Sequence, residues 1–528
     1  MGRIVVIGGA GAMGRIVVRD LVETALPDID VVVADYDGTA AKKLARSYGR
    51  RKVDGLKVDV RDVTGTARAL KGAFGVIAAV QHQLNLPVME AAARAGCHYT
   101  DLGGLFHFTR KQIKLDDKFK KKGLMAVLGM GAAPGIVNVL ARSAADTMEQ
   151  VHEIHILVGG IDRTADVPRT PLGTSYSLLT ILDEATLPAA VFTEGRFAFA
   201  PAMSGGVEVD FPDPVGVRRP AYTIHSEVAT LPLSYRKKGI REVSFRIAFP
   251  DELEANLRFL NAMGLTSEQP IKVGRQEVVP RDVLLALARR LPQVEGSLTP
   301  DEHEVLRVVV RGVAAGKAVE ETVDCHCPGI PAWCMGVDVD TGCPPSIVMQ
   351  LLHRGEITGR GVLPPERAVP PGPFFDELEK RGMRVERHRV PISSAEPGTP
   401  LVCAAQRPLL GVKRTWRGLV RMSANDPQRT FSFQSSLHTP IPVGFLYLAC
   451  GNRFRTAQEI EGEFELCVLV SVLGHKGRTA VFLFACVWRT FRFEMTWQFG
   501  LRLRSAFGLF IPIGSSSSIT TSGSIPCA

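Results

Sequence analysis

Short, fully apolar, β-branched runs alternate with stretches whose apolar residues recur every three or four positions. The runs at 4–7, 30–35, 56–59, 75–80, 98–101 and 124–128 predict strands buried on both faces. The stretches at 15–26, 63–70 and 85–95 predict helices, the last closed by Gly96. Strands alternating with helices imply an α/β, doubly wound parallel sheet. Ligands of such sheets collect at the carboxyl ends of the strands. Asp35, Asp59, Val80, Gln81, Asp101 and the 129–135 loop are therefore expected along one edge.

The pattern changes after residue 135. Residues 151–158 alternate like a strand with one covered face, and 194–200, 242–247 and 305–311 read as further strands. Residues 175–185, 253–263 and 280–291 read as helices, giving an α+β domain with a mainly antiparallel sheet. Helical spacing returns at 346–352 and 374–381, separated by an extended crossing marked by Pro364, Pro365, Pro370 and Pro371. Three regions are expected: a first domain over 1–135 completed by 345–391, an inserted α+β substrate and dimerisation domain over 136–344, and an unrelated tail over 392–528.

Gly9, Gly11 and Gly14 follow the first run with the spacing G-x-G-x-x-G. Gly9 suits a tight turn, Gly11 leaves room for a pyrophosphate, and Gly14 lets the next helix lie close to the sheet. Ala12 and Met13 open that helix, where free N–H groups attract phosphate. Asp35 ends the second run, where a Rossmann-type fold places the carboxylate that binds the ribose hydroxyls. A carboxylate there repels a 2′-phosphate, so NAD is favoured over NADP as cofactor.

Several motifs give this chain a specific resemblance. They are the glycine run at 8–14, Gly96-Cys-His-Tyr-Thr-Asp-Leu-Gly-Gly104, and Gly129-Met-Gly-Ala-Ala-Pro-Gly-Ile-Val-Asn138. Further on come Thr223-Ile-His-Ser-Glu-Val-Ala-Thr-Leu-Pro232, Thr341-Gly-Cys-Pro-Pro345, Gly361-Val-Leu-Pro-Pro-Glu366 and Phe374-Phe-Asp-Glu-Leu378. Over roughly residues 1–390 the chain resembles the saccharopine dehydrogenase-like family, which includes lysine 6-dehydrogenase and carboxynorspermidine dehydrogenase. The resemblance implies that the 346–352 helix packs back on the nucleotide domain. It also implies oxidation of a carbon bearing an amine, or reduction of an imine, in a basic amino acid or related amine. Lysine deamination heads that list, ahead of saccharopine cleavage.

Such chemistry needs the amine positioned, held neutral and set beside the nicotinamide. Asp101, at a strand end, is a candidate to orient the amine or accept its proton; alternatively it caps the turn at Leu102-Gly-Gly104. His225 is a second catalytic candidate, or a hydrogen-bonded strand residue. Tyr99, Asn138, Glu184 and Glu227 are candidate substrate contacts, with Glu184 otherwise a solvated helix-end charge. Gly131 and Pro134 belong to a loop whose N–H groups are expected to meet the nicotinamide or a substrate carboxylate. A dinucleotide-binding scaffold or redox-sensing homologue without turnover is the alternative function.

Composition changes the picture at the carboxyl end. The net charge is +9, but 392–528 hold fourteen bases against seven acids, leaving +2 on 1–391. The part with recognisable motifs is nearly neutral, so nucleic acid is not an expected partner. The tail is poor in Lys, holds five of ten cysteines and three of four tryptophans, and ends in a serine-rich run. It reads either as an appended β-rich domain, with a hairpin over 466–488, or as a poorly ordered segment not selected to fold, of uncertain structure; the second is preferred. Cys325, Cys327, Cys334 and Cys343 cluster with His326 but lack paired C-x-x-C knuckles, so reduced cysteines without a metal are expected. Cys97 is expected to be buried and inert. No signal-like stretch precedes the first strand and no apolar run is long enough to span a bilayer. A cytoplasmic homodimer acting on a small amine, away from membranes, is expected.

Overall fold

A computed structural model describes residues 2–49, 53–165, 172, 177–291 and 300–392, and the backbone of four strands between 445 and 495. Residues up to Pro408 fall in one compact unit and those from Leu409 in another.

The first unit holds two large sheets. Strands β1 (Gly2–Ile7), β2 (Ile29–Asp35), β3 (Val53–Lys57), β4 (Gly75–Ala78), β5 (His98–Asp101) and β6 (Met125–Val127) arise early in the chain. Strands β7 (Gln150–Asp162), β8 (Ala189–Thr193), β9 (Arg196–Ala200), β10 (Val209–Phe211), β11 (Gly216–Arg218), β12 (Ala221–Tyr222) and β13 (Glu242–Ile247) follow. The remainder are β14 (Ile271–Val273), β15 (Gln276–Val278), β16 (Glu302–Ala314), β17 (Lys317–Cys327), β18 (Gly361–Leu363) and β19 (Arg384–Pro391).

The first sheet runs β18-β6-β5-β4-β1-β2-β3. Every pairing in it is parallel. Ile4, Val5 and Val6 are each at most 1% exposed, because helices cover both faces, so β1 shows no polar alternation. Helix Ala12–Thr24 follows the glycine turn. Helix Gly38–Ser47, not expected from the pattern, buries only Ala41 and Ala45; its start is set by Asp37, whose carboxylate accepts from the N–H groups of Thr39 and Ala40.

The second sheet runs β19-β17-β16-β7-β13-β8-β9, with β12 also on β13. Its pairings are antiparallel except β13 with β7, so the sheet is mixed. Helix Ile136–Ala145 packs on β16 and β17.

The returning segment divides between the sheets. Helix Val339–His353 packs on helix Ala12–Thr24. It begins ahead of the expected 346 and carries Pro344 and Pro345 inside it. A Cβ on its Gly342 would lie 2.5 Å from Ile16, so the close helix contact needs glycine there. β18 extends the parallel sheet, and Arg381 forms a buried fork on Asp20 at 2.6 and 2.8 Å. β19, however, pairs with β17 in the second sheet. The first domain is therefore not completed by the whole of 345–391. Arg387 and Arg389 of β19 converge on the buried Glu321 of β17, and that pairing fixes the last strand there.

In the second unit, Cys467–His475 pairs antiparallel with Arg478–Arg489, in the 466–488 span where the less favoured of the two readings put a hairpin. The expectation of poor order for the rest of 392–528 lies outside the described residues. Among the described residues no helix is long and apolar enough to cross a membrane.

Candidate active site

Parallel pairing brings the ends of β3, β2, β1, β4, β5 and β6 to one edge. Asp59, Asp35, the 8–14 turn, Val80, Gln81, Asp101 and the 129–135 loop all lie there. At the first turn it is Gly8, not Gly9, that takes a left-handed backbone, with φ +75°. The reason is contact: a Cβ on Gly8 would lie 2.2 Å from the Ala79 carbonyl oxygen. Gly9 instead fits beneath Val33 and the Val6 carbonyl oxygen, each 2.9 Å from a would-be Cβ. A Cβ on Gly14 would meet the Gly8 carbonyl oxygen at 2.0 Å. Gly11 caps the helix with no side-chain bond, and Gly11 and Ala12 are exposed beside the half-buried Met13. A pyrophosphate fits this cradle, against the positive end of the helix.

At the neighbouring strand end, Asp35 accepts from Ala10 N–H at 3.1 Å and Asp37 N–H at 3.0 Å, which aims the carboxylate along the edge. Tyr36 is exposed beside it, with Lys57 and Arg61 over its ring at 5.8 and 5.2 Å. Arg61 forks onto Asp59 at 2.8 and 2.7 Å. That hydrogen bonding holds the Asp59 carboxyl below its ordinary range.

The centre of the edge is a closed polar knot. Asp101 is fully buried, and its oxygens accept from Tyr99 Oη (2.7 Å), Gln112 Nε2 (2.6 Å), Gly103 N–H (3.0 Å) and Gly129 N–H (2.7 Å). Burial raises its carboxyl despite these bonds, and burial followed by the Asp101 charge raises the Tyr99 phenol. Asn138 is also enclosed. It accepts from Gly135 N–H at 3.1 Å and donates to Glu366 at 2.9 Å, while Ser234 donates to the same carboxylate at 2.8 Å.

The 129–135 loop uses its own donors. The N–H groups of Met130, Gly131, Ile136 and Val137 go to the carbonyl oxygens of Asp101, Pro134, Gly131 and Ala132. The expected row of N–H groups open to a ligand is therefore not present at these positions. Pro134 instead fills the space beside Gly103 and Gly129, where a Cβ would lie 2.7 and 2.8 Å from its ring.

Three other candidates do meet. His225 lies between two carboxylates, with Nδ1 3.2 Å from Glu227 and Nε2 3.4 Å from Glu184. Its ring stacks on Phe245 of β13, with centroids 3.6 Å apart. Burial opposes the charged imidazole, but Glu227 and Glu184 outweigh it and push the pKa up to about 10. The group is thus an imidazolium between two acids. Glu227 is fully buried, and its Oε1 has no hydrogen-bond partner.

The helix carrying Glu184, Leu178–Thr186, also reaches the edge. Its Asp183 lies 3.6 Å from His82, just beyond Gln81, and forms a buried pair with Arg281 at 2.6 Å. Gln81 lines a cavity of about 1970 Å³ that continues along Ile181, Arg218 and Glu304. The sequence pattern does not assign His82, Gln112, Asp183 or Arg281 to the site. Their partners lie far away in the chain, so no local spacing marks them. Glu366 closes the 361–366 motif, whose spacing assigns it no role.

Cys325 and Cys327 are buried in β17, with sulfurs 3.8 Å apart. Burial pushes the Cys97 thiol up to about 12. Among the described residues no group of three or more His, Cys, Asp or Glu side chains is arranged to hold a metal ion.

This fold and cradle define an NAD(P)-binding α/β oxidoreductase. Residues 4–127 match the model of the saccharopine dehydrogenase NADP binding domain, and 131–383 match that of the saccharopine dehydrogenase C-terminal domain. The chain belongs to the saccharopine dehydrogenase family. Carboxyaminopropylagmatine dehydrogenase of Synechocystis sp. is 25% identical over 397 residues, covering 72% of this chain and 96% of that relative. Carboxynorspermidine synthase of Vibrio cholerae is 24% identical over 422 residues, covering 74% and 97%. Among solved structures, apo saccharopine dehydrogenase (L-Glu forming) of Saccharomyces cerevisiae shares the fold. Its TM-score is 0.57 at 18% identity, covering 74% of this chain and 100% of that chain.

Proposed function

We propose that this chain is an NAD(P)-dependent dehydrogenase acting on the C–N bond of a polyamine-related amine. The observation that carries the reading is the buried Glu184–His225–Glu227 group, joined to the nucleotide edge through the neighbouring Asp183 and His82. Acidic side chains on both sides of the His225 ring favour a cationic amine or iminium and disfavour an anion. The names of the relatives favour polyamine-related amines over lysine, which stands second.

The 8–14 turn and Asp35 would hold the dinucleotide, which when bound supplies or accepts the hydride. The carboxylate of Asp35 supports NAD over NADP. His225, charged at neutral pH, is suited to give a proton to an imine nitrogen rather than to take one from an amine. Glu184 and Glu227 hold the ring and keep it charged. Asp101, Tyr99 and Asn138 act as positioning residues, because their polar atoms are already engaged within the protein. A homodimer in the cytoplasm belongs to the same reading.

The test is reduced-nicotinamide absorbance with NAD and NADP while lysine, saccharopine, ornithine, polyamines and their carboxyalkyl derivatives are offered. Turnover with a polyamine-type substrate, lost in His225→Gln, is expected. Binding of amines without any nicotinamide reduction would favour the scaffold instead.

A further inference from the structure

The helix that begins with Glu227 is poorly held by its own backbone. Glu227–Ser234 is eight residues long and its start has no side-chain cap. It carries Pro232, which has no N–H to bond the Val228 carbonyl. An isolated helix shorter than roughly 12–15 residues is marginal in water. A contact from outside must fix where Glu227 stands, and with it the charge on His225.

That contact is a buried carboxylate. Glu366 belongs to helix Pro365–Ala368, which follows β18 and packs against both Glu227–Ser234 and Ile136–Ala145. Its side chain is enclosed, and it reaches in two directions. Oε1 accepts from the Ser234 hydroxyl at 2.8 Å, at the end of the helix that carries Glu227. Oε2 accepts from Asn138 Nδ2 at 2.9 Å, in the first turn of Ile136–Ala145. Burial raises the Glu366 carboxyl, while the donors Ser234, Asn138 and Thr230 oppose the rise. Positions 227, 230 and 234 share one face of a helix, so Glu366 grips the face that also carries Glu227.

Asn138 passes the hold on. Its Oδ1 accepts from Gly135 N–H at 3.1 Å, at the end of the loop whose Gly129 N–H bonds Asp101. One carboxylate thus ties the helix of Glu227 to the loop at the nucleotide edge. Gly135 occupies the Asn138 oxygen, so Asn138 must donate to residue 366. The Ser234 hydroxyl, by contrast, can donate or accept. In Glu366→Gln the side-chain oxygen can therefore accept from Asn138 while the amide donates to Ser234. That substitution keeps the hold and removes the charge, whereas Glu366→Ala releases both arms.

We propose that Glu366 is a positioning residue: it fixes the helix Glu227–Ser234 against the 129–135 loop so that Glu227 stands against His225. This rests on the reading of Glu184, His225 and Glu227 as the reacting group. It adds the residue that assembles them.

The full-length protein, with ¹³C-labelled histidine, would be titrated by NMR, and the His225 signal assigned by its loss in His225→Gln. Glu366→Ala should lower the His225 midpoint by about 1–3, the effect of drawing one neighbouring carboxylate away. Glu366→Gln should recover most of that fall. Ser234→Ala cuts only the arm to the helix and should lower the midpoint in the same direction, so the test stands even where Glu366→Ala does not fold. Midpoints unchanged from the wild type in Glu366→Ala and Ser234→Ala would overturn the proposal. A midpoint in Glu366→Gln as low as in Glu366→Ala would overturn it too, since charge rather than hydrogen bonding would then be the working part. So would a wild-type His225 that titrates near the ordinary value of about 6.5. Absence of nicotinamide reduction by the wild type with every amine offered would sink the dehydrogenase reading alone, because the titration needs no substrate.

Discussion

His82 Nε2 lies 3.6 Å from Asp183 Oδ2, joining the loop after β4 to the helix that carries Glu184. Burial pushes the His82 pKa down to about 4, so at neutral pH this is a neutral imidazole beside a carboxylate and not an ion pair. The carboxylate's charge is met by Arg281, 2.6 Å away and likewise buried. Asp183→Ala should remove the buried partner of Arg281 and leave the exposed Glu268, 2.8 Å away, as its remaining acid, at a cost of about 1–3 kcal/mol. Denaturant melts of the variant, with Arg281→Met as its partner in a double-mutant cycle, measure this. A loss below about 1 kcal/mol would fall in the surface-pair range and discount the pair.

The same histidine sets an acid limit. The unfolded imidazole takes up a proton near pH 6.5, whereas the folded one stays neutral down to about 4. The unfolded state therefore binds more protons as pH falls through that window, and the fold loses stability. His82→Phe should flatten the decline in melting temperature between pH 6.5 and 4 relative to the wild type.

His225 works with the opposite sign. Its folded pKa of about 10 lies above the ordinary 6.5, so its stabilisation is complete below pH 6.5 and is lost as pH rises towards 10. His225→Gln should melt lower than the wild type at pH 6 and show a shallower fall between pH 7 and 10. A parallel pair of melting curves would mean that the ring is not charged in the folded protein.

Asp101→Asn should act on folding more than on turnover. The amide would place donors against Tyr99 Oη and Gln112 Nε2, both of which now donate to the carboxylate. Loss of about 1–3 kcal/mol is expected from the disrupted buried bonds. Turnover of the folded fraction should stay within about threefold of the wild type, well short of the factor of about 10² or more that a general acid or base contributes. A hundredfold loss of turnover at unchanged melting temperature would return Asp101 to the catalytic group.

Asp35→Ser should lower the preference for NAD over NADP by at least about tenfold, the effect of one charge contact near a phosphate. Dinucleotide titrations followed by intrinsic fluorescence measure it. A wild type that already binds NADP tighter would reject the role given to this carboxylate.

The sequence by itself determined the parallel sheet, the glycine cradle and the place of Asp35. These depend on neighbours in the chain: an apolar run, a glycine spacing and an acid at a strand end all lie within one βαβ unit. It also marked Glu184, His225 and Glu227 one by one. It did not show that they meet, because the Leu178–Thr186 helix, the segment before Glu227 and β13 are brought together only by packing. Tertiary structure likewise decided that Asp101, Tyr99 and Asn138 are enclosed, since their partners Gln112, Gly129 and Glu366 are remote in the chain. It decided that Gly8 makes the turn, because the constraint is the Ala79 carbonyl just past β4, the neighbouring strand in the sheet. It also sent β19 to the second sheet, where Glu321 offers its arginines a buried charge. Local spacing records what each segment can form, and long-range contact decides which polar atoms remain open to a substrate.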